Sequence, residues 1–72
     1  MLAILGGTGP EGKGLAVRLA MAGEVTIIGS RDAARGAAAA AELAANAHGA
    51  NIVGSDNAGA AEQAEIVFLA FP

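Results

Sequence analysis

Six residues near the N-terminus, Gly7-Thr8-Gly9-Pro10-Glu11-Gly12, spell G-x-G-x-x-G, and they stand between an apolar run and a run of helix formers. That setting constrains the chain more than any other feature of it. Met1 to Leu5 is short, apolar and without alternation, which fits a strand buried on both faces. Pro10 suits the first position of a helix, where its missing N–H is not needed. Glu11 to Ala22 then reads as a helix, with Leu15, Ala16, Leu19 and Ala20 in one stripe and Gly23 as its stop. A strand, a glycine turn and a helix start are the parts of an anion-cradling loop. Gly7 permits the tight turn, Gly9 lets a pyrophosphate approach the backbone, and Gly12 lets the helix lie close on the sheet. A glycine-rich turn without a ligand is the alternative. With 11 glycines in the chain an accidental match is easy, and it is the strand–turn–helix context that favours the ligand.

The pattern repeats along the chain. Val25 to Ile28 is a β-branched run closed by Gly29 and Ser30. Asp32 to Ala47 is alanine-rich and reads as a helix that packs thinly, because Leu43 is its only large apolar residue. Gly49 ends it. Ala50 to Val53 forms a third strand, Asp56 or Asn57 caps a short helix running to about Ala64, and Ile66 to Ala70 forms a fourth strand. The order β-α-β-α-β-α-β with buried strands predicts an α/β fold with a parallel sheet. Right-handed crossovers then favour strand order 3-2-1-4, half of a doubly wound, or Rossmann, fold.

The end of the second strand selects among dinucleotides. An Asp or Glu there binds the ribose 2′-OH of NAD. This chain has Gly29-Ser30-Arg31 instead, and a hydroxyl with a guanidinium suits a 2′-phosphate. Arg35, four residues after Arg31, is either a second cation on the same helical face or a solvated charge. Asp32 is either a displaced ribose ligand or a helix cap. The phosphate loop of nucleotide triphosphatases is a poor match, since Gly14 follows Lys13 where a Mg²⁺-binding hydroxyl is needed. Lys13 reads as a solvated helix residue within reach of a phosphate.

Composition closes off other chemistries. There is no cysteine and a single histidine, His48, so no disulfide frame, thiolate site or poly-histidine metal site is available. His48 reads as a surface residue near a helix C-terminus, and Glu62 and Glu65 as a solvated face. A net charge of −3, no basic cluster and no Trp or Tyr argue against nucleic acid. No apolar run approaches the ~18 residues of a membrane helix, so a soluble, cytoplasmic protein is expected. The apolar fraction of 54% overstates the core, because 20 of those 39 residues are Ala. Stability of the chain alone is therefore expected to be marginal.

The segments LAILGGTGPEGKGLAVRLA, EVTIIGSR and EIVFLAFP together resemble the N-terminal half of F-420-dependent NADP oxidoreductases, over essentially the whole chain. The resemblance implies NADP(H) and the deazaflavin coenzyme F-420 as the two hydride carriers. It implies that Gly7, Gly9 and Gly12 hold the pyrophosphate, within a loop that also contains Pro10 and Glu11. Thr8, Ser30 and Arg31 would contact the 2′-phosphate region, with Arg35 assisting, and Phe71-Pro72 would lie near the nicotinamide ribose. Pro10 and Glu11 depart from the small or apolar residues usual there. Such enzymes can work by juxtaposing two carriers, so no catalytic side chain is named. The family continues well past a fourth strand, so residues 1–72 are expected to be the N-terminal part of an NADP-binding domain, within a larger chain or a homo-oligomer. The other reading is a stand-alone nucleotide-binding or interaction module, with its sheet edge against a partner.

Overall fold

Each apolar run becomes a strand, and each intervening segment becomes a helix. The computed structural model describes residues 1–46 and 51–70. In chain order the elements are β1 (Leu2–Leu5), α1 (Pro10–Met21), β2 (Thr26–Ser30), α2 (Ala33–Asn46), β3 (Ile52–Asp56), α3 (Asn57–Gln63) and β4 (Ile66–Leu69). The four strands form one parallel sheet in the order β3-β2-β1-β4, the partial Rossmann topology expected. Leu2 to Leu5 pair with Thr26 to Gly29 on one side and with Ile66 to Leu69 on the other, which makes β1 central. The expectations for Ala47, His48, Gly49, Ala50, Phe71 and Pro72 lie outside the described residues.

Alternate residues of a strand face opposite ways, so the sheet has two separate cores. On one face Ile4, Ile28 and Ile52 pack with Ala16 and Ala20 of α1 and with Ala39 and Ala40 of α2. On the other, Ala3 and Ile27 pack against Ala60 of α3. Full burial of an Ile side chain contributes about 1.5–3 kcal/mol, and Ile4, Ile27 and Ile28 are all fully buried. The small partners let the helices sit close. Where α2 crosses β3, a Cβ on Gly36 would overlap the Ser55 carbonyl, and one on Gly54 would overlap the Gly36 carbonyl.

Two strands run further than the sequence suggests. β2 continues to Ser30 rather than closing after Ile28, and β3 starts at Ile52 and continues to Asp56 rather than ending at Val53. Glycine usually punctuates a strand. Here Gly29 and Gly54 stay in the ladder because something packs where their side chains would be. α1 stops as expected. Gly23 has φ +96 and its N–H donates to the Ala20 carbonyl, while the Glu24 N–H donates to the Leu19 carbonyl, a Schellman closure. β4 is one of the two edge strands and the more open one. Ile66, Val67, Phe68 and Leu69 are all exposed, Leu69 by 71%.

Candidate dinucleotide site

The glycine loop occupies the C-terminal end of β1, between the ends of β2 and β4. Gly6 turns the chain with φ +70, a left-handed conformation that glycine adopts without penalty. The Gly7 N–H then donates to the Gly29 carbonyl at 3.0 Å, tying the loop to the end of β2. The motif's three glycines differ in what requires them. A Cβ on Gly7 would lie 2.8 Å from the Ile4 carbonyl oxygen, and one on Gly12 would lie 2.6 Å from Gly7 Cα. Those two glycines pack against the fold itself. Gly9 does not. Its φ is −80 and ψ 169, open to any residue, and a Cβ there would meet nothing within 4 Å.

Gly9 is the N-cap of α1 and brings no capping side chain. Pro10 follows at the first helical position, without an N–H. The first bond into the helix is from Lys13 N–H to the Gly9 carbonyl at 2.9 Å, so the Glu11 and Gly12 amides lie ahead of it. These are the donors a helix N-terminus offers to an anion. They open on a cavity of about 350 Å³ lined by Gly9, Pro10, Glu11, Gly12 and Ala70. Glu11, exposed in the first turn, is the one charged residue among the described residues that line it. Thr8 sits half-buried within the loop. Gly14 also has open space around it, although it does not line the cavity, and nothing in the fold requires it.

The second corner lies one residue beyond Gly29. Ser30 is buried, and its Oγ accepts from the Asp32 N–H at 3.4 Å. Asp32 caps α2: its Oδ1 accepts from the Ala34 N–H at 2.8 Å and its carbonyl from the Gly36 N–H at 3.1 Å. Capping therefore occupies one oxygen of the Asp32 carboxylate. Arg31 and Arg35 are both exposed, and among the described residues neither guanidinium forms an ion pair. They do not share a helical face as expected. Asp32 takes the cap position, so Arg31 precedes the helix and only Arg35 belongs to its first turn. Lys13 reaches across to α2, its Nζ 3.9 Å from Glu42 Oε1. Among the described residues no three His, Cys, Asp or Glu side chains gather as metal ligands, and no helix is long and apolar enough to cross a membrane.

The loop and the Ser30-Arg31 corner thus meet at the C-terminal edge of a parallel sheet, where doubly wound folds bind nucleotides. The family model described as NADP oxidoreductase, coenzyme F-420-dependent, matches residues 1–72. The chain belongs to this family. Among curated proteins it is similar to the F-420-dependent NADP reductase of Methanothermobacter marburgensis, 49% identical over 99% of this chain and 33% of that protein. The proteins of the same name from Methanothermobacter thermautotrophicus and Methanocaldococcus jannaschii are each 44% identical over 99% of this chain, and 32% and 33% of their own lengths. The chain therefore spans about a third of the length of the curated relatives it matches.

One contact at the site was not read from sequence. The Gly6 N–H donates to Asn57 Oδ1 at 3.1 Å, across 51 residues of chain. The Asp56-Asn57 pair signals a helix cap, which is a local role. Asp56 fills that role, accepting from the Gly59 N–H at 2.6 Å, and Asn57 is left to reach the loop.

Proposed function

We propose that residues 1–72 form the N-terminal part of an NADP(H)-binding domain in an oxidoreductase that moves a hydride between NADP(H) and coenzyme F-420. The observation that carries this reading is Gly9. Neither its dihedrals nor its neighbours call for glycine, so the missing side chain serves the open space above it. A pyrophosphate lying there meets the amides of Glu11 and Gly12 and the positive end of the α1 dipole. Gly7 and Gly12 set the loop's height over the sheet, and Thr8 and Pro10 complete its rim. Ser30, Arg31 and Arg35 take the 2′-phosphate at the neighbouring corner, where no carboxylate stands at the strand end to prefer NAD. Bound NADP(H) supplies the hydride chemistry. This chain's own residues bind and orient, and none is assigned as a catalytic acid or base. The remaining two thirds of a relative's length would supply the site for coenzyme F-420.

The test is calorimetric titration of NADPH and NADH. NADPH should bind more tightly, and Arg31→Ala should weaken it by about ten- to a hundredfold, the effect of one charge-assisted hydrogen bond. NADH, without the 2′-phosphate, should be almost unaffected. A parallel loss for both nucleotides would remove Arg31 from the 2′-phosphate site. Residues 1–72 alone should give no turnover of NADPH with coenzyme F-420, and turnover would overturn this division of labour.

A further inference from the structure

We propose that Asn57 is a positioning residue for the glycine loop, its Oδ1 holding Gly6 in the shape that admits a dinucleotide phosphate. The inference rests on the dinucleotide reading above. It begins from the accounting of backbone groups where β1 ends. The Gly29 carbonyl, the ladder acceptor at that level of β2, is taken by the Gly7 N–H. The Gly6 N–H, one residue earlier, is left without a ladder partner just where the chain turns through φ +70. A backbone donor in a part-buried turn needs an acceptor, and Asn57 Oδ1 supplies it at 3.1 Å.

Two further features keep Asn57 at this post. Asp56 caps α3, so the Asn57 side chain is not drawn into its own helix. Gly29 clears its seat, since a Cβ there would lie 2.7 Å from Asn57 Oδ1. The consequence runs from Gly6 into the site. Gly7 Cα is the surface on which Gly12 rests, and Gly12 lies in the first turn of α1. A shift at Gly6 therefore tilts the amides that face the cavity.

The experiment titrates NADPH and NADH into the full chain, comparing wild type with Asn57→Ala and Asn57→Asp, in about 0.5 M salt to screen the added charge of Asp. Asn57→Ala leaves the Gly6 donor unpaired and should weaken both nucleotides by the same factor, about tenfold. Asn57→Asp keeps an oxygen toward Gly6 and should recover most of that loss. Amide exchange at Gly6 without nucleotide should speed up in Asn57→Ala and stay slow in Asn57→Asp. Should Asn57→Ala not fold, Asn57→Ser, whose shorter side chain stops short of the Gly6 N–H, should give the same equal loss. Wild-type affinity in Asn57→Ala, an Asp variant as weak as the Ala variant, or a loss confined to one nucleotide would overturn the proposal. A wild-type chain that binds neither nucleotide would instead remove the dinucleotide reading, on which the proposal stands.

Discussion

Replacing Gly9 and Gly12 by alanine, one at a time, should separate binding from stability. At Gly9 the added methyl meets nothing within 4 Å, and the dihedrals suit alanine. They are also the extended values that a following proline imposes. The folded chain loses no contact and the unfolded chain loses freedom, a gain of about 0.4–1 kcal/mol. Alanine is, however, a poorer N-cap than glycine by a similar amount, so Gly9→Ala should leave stability within about 0.5 kcal/mol of wild type. At Gly12 the same methyl would lie 2.6 Å from Gly7 Cα and 3.0 Å from the Gly7 carbonyl carbon and oxygen. Those are backbone atoms that cannot rotate away, so Gly12→Ala should cost about 1–3 kcal/mol of overpacking. For a domain of this size each kcal/mol moves the melting temperature by about 4–8 °C. Binding should move differently. A methyl on Gly9 lifts the phosphates off the amides, and the loss of one charge-assisted hydrogen bond weakens NADPH by about ten- to a hundredfold. The assay pairs thermal unfolding without nucleotide with NADPH titration below both transitions. A Gly9→Ala protein that melts as low as the Gly12→Ala protein, or that binds NADPH as well as wild type, would refute the argument that the space over Gly9 belongs to a ligand.

The Glu11 carboxylate opposes an anion at the mouth of the cavity, so Glu11→Gln should tighten NADPH and NADH alike by about two- to fivefold, and the gain should fade as salt rises. Gly36→Ala forces a methyl into the Ser55 backbone and should cost about 1–3 kcal/mol in thermal or urea unfolding, with little effect on nucleotide preference. Asp32→Ala should lose about 1 kcal/mol of capping and leave the ratio of NADPH to NADH affinity unchanged; a changed ratio would make Asp32 a ribose ligand. Residues 1–72 alone should self-associate at micromolar concentration in sedimentation, because the exposed side chains of Ile66 and Leu69 lie on an open edge strand. A monomer would contradict that.

The fold was legible because its signals are local. Each apolar run is bounded by glycine or a helix former, and strands that alternate with helical segments make a parallel sheet. The loop was legible for the same reason, since its three glycines fall within six residues. What escaped depends on partners distant in the chain. Gly54 looks like a strand end until Gly36 is seen lying against it. The signal was present, because a lone glycine in an alanine-rich helix costs about 1 kcal/mol and asks for a reason. Asn57 carried no such mark. Its contact spans 51 residues, and its local sequence explains itself as part of a cap. The reading of Arg31 and Arg35 as one helical face failed on a boundary, because Asp32 sets the helix start after Arg31.

Every strand in this sheet reaches its neighbour through a crossover, and none through a hairpin. That connectivity governs how the chain can be assembled during synthesis. β1 leaves the ribosome before the other three strands, yet Leu2 finds its second partner only when Ile66 has emerged. High contact order of this kind slows folding. The glycine loop is translated well before α3, but its Gly6 hydrogen bond waits for Asn57. A ribosome stalled after β2 would thus display the complete glycine motif without its anchor, and the site would mature well after the residues that compose it.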